Sequence, residues 1–160
     1  WDESSCHKSG EYLDLEDLEA GWKRLPDMQT KRGSLGVAFG DGKLFSVGGK
    51  DGSDNHRSGE YLDLKDVAAG WQRLPNMWMR RSELGVAVGN GKLFAVGGCG
   101  HESAEYLDLK NLAAGWKQLP HMHTRRDTLG VAVGDDKLFA VGGSRDGVYH
   151  SKSGEWLRIA

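Results

Sequence analysis

The chain of 160 residues contains little of what marks several protein classes. With three prolines and no repeating Gly-x-y triplet, it is not collagen. Its two cysteines, Cys6 and Cys99, exclude a disulfide-rich framework and favour a reducing compartment, so we expect a cytoplasmic location. No apolar run approaches the roughly 18 residues that a membrane-spanning helix needs, and the first residues lack the pattern of a signal peptide.

An excess of charge of one sign is also missing. The 21 basic and 23 acidic residues give a net charge of −2, which offers no electrostatic reason to expect nucleic acid or an anionic membrane as a partner. What is abundant is glycine, at 24 residues, or about twice the usual share. Because 38% of the chain is hydrophobic and six residues are Trp, intrinsic disorder does not explain this excess.

Internal repetition explains the glycine. The sequence LGVAFGDGKLFSVGG at 35–49 returns at 84–98 and 129–143 with few changes. A second block begins with Glu-Tyr-Leu-Asp-Leu and ends with Leu-Pro-x-Met, and it occupies 11–28, 60–77 and 105–122. The length differences between copies fall after the Gly-Gly pair, so these segments are variable loops on a fixed framework.

Each repeat predicts four short strands, which in the second copy are 84–88, 92–96, 105–109 and 116–119. Asn90-Gly91 between the first two strands predicts a tight hairpin in which both residues have positive φ. From Asp108 to Gly115 the sequence predicts one helical turn, capped by the aspartate at its start and closed by the glycine.

The Gly-Gly pair, the later aromatic residue, the Trp and the Pro-x-Met-x-x-[RK]-R run resemble kelch repeats. Each Tyr directly follows its Glu and lies farther from its Trp than is usual in that family. The resemblance implies an all-β fold, a kelch-type β-propeller segment of about three four-stranded blades around a central channel. The expected blades are 1–33 (strands three and four only), 34–82, 83–127 and 128–160 (strands one to three).

Closed propellers have four to eight blades, so about three blades leave a ring incomplete. Further blades are expected either from the same parent chain or from a second copy, two copies making a six-bladed ring. The start at Trp1, in mid-loop, favours the first alternative.

A pair of basic residues precedes strand one in every repeat. The resemblance implies that the second member of each pair lines one mouth of the channel and holds acidic side chains of a peptide, a task that suits the planar guanidinium. The alternative is that these arginines bind backbone carbonyls or carboxylates inside the propeller, for which the recurring glutamates are candidates. The arginines are Arg32, Arg81 and Arg126; the glutamates are Glu11, Glu60, Glu105 and Glu155.

Further candidate contacts with a partner lie in the loops: His56, His101, Tyr149, His150 and Trp78. Because a His precedes the Glu in every repeat, a role in the loop framework is the alternative for the histidines. For Trp78 the alternative is packing against its own loop. One His per blade is too far from the next for the roughly 2 Å bonds of a shared ion, so we expect no metal and no cofactor.

Sequence motifs of enzymes are absent: there is no G-x-S-x-G, phosphate-binding loop, HExxH or CxxC pair. We therefore expect a non-catalytic module that binds a protein or an acidic peptide at one mouth. The alternative is a structural subunit of a large assembly held by its blade faces, and a propeller domain of an enzyme is less favoured.

Overall fold

The computed structural model of the chain describes residues 6–145, the backbone of 149–150, and residues 152–159. Seventeen β-strands lie in these parts of the chain. In chain order they are β1 Glu11–Leu13, β2 Trp22–Arg24, β3 Gly36–Gly40, β4 Lys43–Val47, β5 Lys50–Asp51, β6 Asp54–Asn55, β7 Gly59–Asp63, β8 Gln72–Arg73, β9 Gly85–Gly89, β10 Lys92–Val96, β11 Ala104–Asp108, β12 Trp116–Leu119, β13 Gly130–Gly134, β14 Lys137–Val141, β15 Ser144–Arg145, β16 Tyr149–His150 and β17 Gly154–Arg158.

The repeats form antiparallel sheets, which we call blades. The first blade is β3-β4-β7-β8, the second is β9-β10-β11-β12, and the third is β13-β14-β17. Strands β1 and β2 pair as a separate leading hairpin. The register is the same in every blade: Phe94 lies opposite Ala87 on one side and Tyr106 on the other, and Phe45 lies between Ala38 and Tyr61. The predicted all-β architecture of about three four-stranded units is confirmed.

The hairpin turn between the first two strands of each blade has the backbone conformation that the sequence predicts. Asn90 has φ 51° and Gly91 φ 67°, and Asp135 and Asp136 in the third blade have φ 49° and 54°. Two aspartates accept this left-handed conformation because their short polar side chains tolerate it better than other residues with a Cβ.

A single 3-10 turn follows β1 in the leading hairpin and the third strand in the first two blades, at Leu18–Ala20, Val67–Ala69 and Leu112–Ala114. The predicted cap was wrong in position. Asp66, three residues after Asp63, which is the first-blade equivalent of Asp108, accepts from the N–H of Ala69 at 3.3 Å. Asp63 instead accepts from the N–H of Lys65 at 2.9 Å, which closes the bend before the turn.

Apolar side chains are buried between neighbouring blades. Phe45, Leu93 and Trp116 belong to the cluster between the first and second blades. Phe94 and Leu138 belong to the corresponding cluster between the second and third blades. The core therefore consists of blade-to-blade contacts, so each blade depends on its neighbour for burial.

The first strand of each blade has two different faces. Its Gly-x-Ala-x-Gly positions form what we call the forward face, turned toward the next blade, and the two residues between them form the backward face. A Cβ added at Gly36 or Gly40 would overlap Val86 or Val88 of the second blade, and the same holds for Gly85 and Gly89 against the third blade. Glycine in these strands thus allows the valines of the next blade to approach closely.

Candidate functional site

The linkers before strand one and the loops after strand two lie together on one side of the blades. The Arg81 N–H donates to the carbonyl of His56 at 3.0 Å, and the Gly49 N–H donates to the carbonyl of Arg81 at 2.8 Å. We call this surface the loop face. It consists of the linkers 29–35, 78–84 and 123–129 and the loops 48–58, 97–103 and 142–145.

The second member of each basic pair is buried beneath this face. The Arg81 side chain is 1% exposed, and its Nε lies 3.0 Å from Oε1 of Glu105. Its Nη1 donates to the carbonyls of Gly97 at 2.6 Å and Ser103 at 3.0 Å, and its Nη2 donates to the Ser103 hydroxyl at 2.8 Å. The same ion pair forms between Arg32 and Glu60 at 3.0 Å and between Arg126 and Glu155 at 3.1 Å.

Each glutamate of these pairs also ties the linker to strand three. Glu105 accepts from the N–H groups of Trp78 at 2.8 Å and Met79 at 3.4 Å. Burial lowers the pKa of Arg81 below its ordinary value, and the adjacent Glu105 carboxylate opposes that shift. A buried guanidinium with this many internal acceptors has little capacity left for a ligand.

The three arginines therefore do not lie where a partner's carboxylate could reach them, and the geometry corrects that expectation. It supports the alternative of carboxylates and carbonyls inside the protein, with Glu60, Glu105 and Glu155 as the carboxylates. Glu11, the fourth recurring glutamate, lies exposed on the leading hairpin.

The first member of each basic pair is exposed on the loop face instead. These residues are Lys31, Arg80 and Arg125. Arg80 donates to the carbonyl of Asn55 at 2.9 Å, and the Nε of Arg125 lies 3.6 Å from Oε2 of Glu102. Sequence reasoning missed them, although one signal was present: each repeat has only one recurring glutamate, at the start of strand three, for two cations.

His56 and His101 are half-buried at the edge of the loop face. The N–H of His56 donates to the carbonyl of Gly49 at 2.8 Å, and the N–H of His101 donates to that of Gly98 at 3.0 Å. Burial, followed by the positive charge of Arg32, lowers the pKa of His56, and burial followed by Arg81 lowers that of His101. These hydrogen bonds hold the backbone of both residues in the loops and assign no role to the imidazole rings.

Trp78 is the first residue of the linker 78–84, and its side chain reaches the next blade. Its indole N–H donates to the carbonyl of Trp116 at 2.8 Å, while 66% of the residue is exposed. It therefore covers the start of β12 in the next blade rather than packing against its own loop. Tyr149 and His150 form β16, which pairs with β15, but their side chains lie outside the described residues.

Among the residues that the structure describes, no group of three or more His, Cys, Asp or Glu side chains is placed to hold a metal ion. Within the same residues, no helix has the length and hydrophobicity to cross a membrane.

The antiparallel four-stranded units, repeated and packed face to face, define an all-β protein built of propeller blades. Residues 31–77, which contain the first blade, match the family model described as the Kelch motif. This match identifies one Kelch motif in the chain, and the second and third blades repeat the matched sequence. No curated protein matches the chain. The Kelch motif is generally a protein-interaction module.

Proposed function

We propose that this chain binds a protein or peptide partner at the loop face, and that Lys31, Arg80 and Arg125 attract its acidic side chains. The observation that supports the proposal is that the two members of each basic pair have different environments. One member of the pair is buried on a glutamate and stabilises the blade, and the other is exposed at the same height on each blade. The repeat thus presents cations at regular spacing on a rigid support.

The existing contacts of these cations are weak enough for a ligand to replace them. Arg80 binds one exposed backbone carbonyl, and Arg125 makes a 3.6 Å ion pair with a half-exposed glutamate. Exposed ion pairs of this kind stabilise a protein by about 0–1 kcal/mol, whereas a bidentate carboxylate from a ligand gives a stronger contact. An incoming carboxylate is therefore expected to displace them.

Selectivity is expected from the loops between strands two and three. The first blade inserts the β5–β6 hairpin there, with Asp51 and Asp54 exposed, whereas the second blade has a shorter loop with Glu102. The loop face therefore carries both signs of charge, and the best partner is an acidic segment that also carries some basic residues.

The test uses a fluorescein-labelled eight-residue peptide of alternating Glu and Ser, with fluorescence anisotropy at low ionic strength. The triple variant Lys31→Ala/Arg80→Ala/Arg125→Ala is expected to bind it about tenfold more weakly or worse. The control Lys65→Ala/Lys110→Ala/Lys117→Ala removes the same charge from exposed lysines outside the loop face. Unchanged affinity in the first triple, or equal weakening by both triples, would overturn the proposal.

A second candidate role is that of a subunit held in a larger assembly, with a second copy as partner. The observation that favours it is the exposure of apolar residues on the open faces of the first and third blades, including Val37, Phe39 and Val141.

A further inference from the structure

We propose that the third blade of one copy docks on the first blade of a second copy, head to tail, and that two copies close into one ring. The inference does not depend on ligand binding at the loop face. Three features of the two open ends carry it: the shape of the strand-one faces, a set of backbone groups and a groove for a tryptophan.

The two end faces are complementary in shape. Among the described residues, nothing lies within 4 Å of a Cβ added at Gly134 on the forward face of the third blade, and a carbonyl oxygen at 3.7 Å is the one atom that approaches a Cβ added at Gly130. At the other end, Val37 and Phe39 on the backward face of the first blade are 55% and 61% exposed. They occupy the positions of Val86 and Val88, which fill the glycine face of the first blade. A second copy therefore offers the side chains that the empty face accepts.

Backbone hydrogen bonds between neighbouring blades show the same relation. The Glu83 N–H donates to the carbonyl of Ser34 at 2.8 Å, and the Thr128 N–H donates to that of Glu83 at 2.7 Å. Among the described residues, no group accepts from the Ser34 N–H and none donates to the Thr128 carbonyl. If a second copy follows the third blade in the same arrangement, the Ser34 N–H of that copy donates to the Thr128 carbonyl.

A second series of backbone bonds ends in the same way. The Gly49 N–H donates to the carbonyl of Arg81 at 2.8 Å, and the Gly98 N–H donates to that of Arg126 at 2.9 Å. Within the described parts of the chain, the corresponding N–H of Gly143 and the Arg32 carbonyl have no such partner. In head-to-tail docking, the Gly143 N–H of one copy donates to the Arg32 carbonyl of the other. Both series of hydrogen bonds then continue around the whole ring.

The third feature is a groove of about 260 Å³ beside the third blade, lined by residues that include Pro120, Met122, His123 and Leu138. In the two complete blades the equivalent space holds a tryptophan of strand four. Trp71 donates from its indole to the carbonyl of Pro26 at 2.8 Å, and Trp116 donates to that of Pro75 at 2.9 Å. The groove is thus shaped for a Trp-x-x-Leu-Pro strand whose indole N–H would reach the carbonyl of Pro120.

The chain has one further Trp-x-x-Leu-Pro strand, which lies outside the two complete blades. Trp22 on β2 is 67% exposed and is followed by Leu25 and Pro26 at the spacing of the other two copies. In a second copy, the leading hairpin β1–β2 can therefore enter the groove. The opposing cavity of about 370 Å³ between that hairpin and the first blade, lined in part by Gly10, Leu25, Val37 and Leu44, then receives β13 and β14.

In this docking, β1 of the second copy would pair with β14 at the position that β17 holds in the single copy, so only one of the two strands can occupy it. The two strands carry equivalent residues: Ser9-Gly10-Glu11 in one and Ser153-Gly154-Glu155 in the other. We assign the place to β1, because it stays hydrogen-bonded to β2 and brings strand four with it. Glu11, which is exposed in a single copy, then replaces Glu155 as the partner of Arg126.

The experiment blocks one end at a time. Phe39→Glu places a charge on the backward face of the first blade, which we call the head face. Gly134→Glu places one on the forward face of the third blade, the tail face. Both positions are exposed. Sedimentation velocity is expected to show wild type as two copies and each variant alone as one copy. A 1:1 mixture of the variants is expected to restore a two-copy species, because one intact junction remains between them. The control Val67→Glu makes a similar change on the outer 3-10 turn and is expected to leave association unchanged.

Wild type with the mass of one copy at every concentration would overturn the proposal, as would a mixture that stays dissociated or a ladder of larger species. Glu11→Gln tests the shared blade separately. It is expected to weaken association without changing the melting temperature of the Gly134→Glu variant, which is a single copy. Unchanged association in Glu11→Gln would show that β1 does not take the place of β17.

Discussion

Alanine substitutions at glycines on the same strand face of two blades test how the blades pack. Gly85 and Gly134 lie at opposite ends of the Gly-x-Ala-x-Gly face, in the second and third blades respectively, and neither has a positive φ, so alanine is allowed by the backbone at both. At Gly85 the added methyl group would overlap Cγ2 of Val131 and lie 3.3 Å from Cγ of Leu129. At Gly134 it would meet no atom of the described residues within 4 Å.

The expected magnitudes follow from these contacts. Val131 and Leu129 pack in the core between the second and third blades, so relieving the overlap requires a shift of core side chains. Overpacking of this kind costs about 1–3 kcal/mol, and replacing glycine in a strand returns about 0.5–1 kcal/mol. Gly85→Ala is therefore expected to lose up to about 2.5 kcal/mol of the free energy of unfolding, and Gly134→Ala to gain up to about 1 kcal/mol.

Both variants are best compared in the Phe39→Glu background. That variant is expected to be a single copy, so no second copy covers the forward face of its third blade. Thermal unfolding followed by circular dichroism gives the readout. At about 2–4 °C per kcal/mol for a chain of this size, Gly85→Ala is expected to lower the Tm by up to roughly 10 °C and Gly134→Ala to raise it slightly. Equal Tm changes in the two variants would refute the proposed packing of valine against glycine.

Three further predictions concern the core and the loops. Glu105→Gln leaves Arg81 buried beside a neutral group and is expected to cost about 3–5 kcal/mol in urea unfolding, whereas Glu102→Gln, on a half-exposed residue, is expected to cost under about 1 kcal/mol. Trp116→Phe removes the 2.9 Å hydrogen bond to Pro75 and is expected to lose about 1–3 kcal/mol by the same assay; no loss would contradict the role assigned to the indole. Because the pKa of His101 is lowered in the folded chain, the unfolded chain takes up its proton first as the pH falls below about 6.5, so stability decreases there; His101→Gln is expected to reduce that decrease, and an unchanged pH profile of urea unfolding would contradict it.

The repeats allowed most of the fold to be predicted from the sequence. Asn90-Gly91 and the apolar strands beside it specify a hairpin through local backbone preference, and three copies of one pattern reinforce each other. The cap of the 3-10 turn was misplaced because Asp63 and Asp66 both suit a turn, and only the folded backbone decides which carboxylate meets which N–H.

The site was harder to predict because its two cations are adjacent in sequence. Arg80 and Arg81 are chemically equivalent. Which of them is buried depends on Glu105, which lies on β11, the third strand of the second blade. That long-range contact is not a local property of the Arg-Arg pair. The family resemblance named the second member of each pair, and the structure places that member under the surface.

The assignment of opposite roles to adjacent cations is tested most directly by arginine modification. The native chain would be treated with phenylglyoxal for increasing times, and the modified arginines would be identified by mass spectrometry. We expect Arg80 and Arg125 to react, and Arg32, Arg81 and Arg126 to stay protected until the chain is unfolded in denaturant. Reaction of Arg81 and Arg126 at the rate of Arg80 and Arg125 would contradict the account.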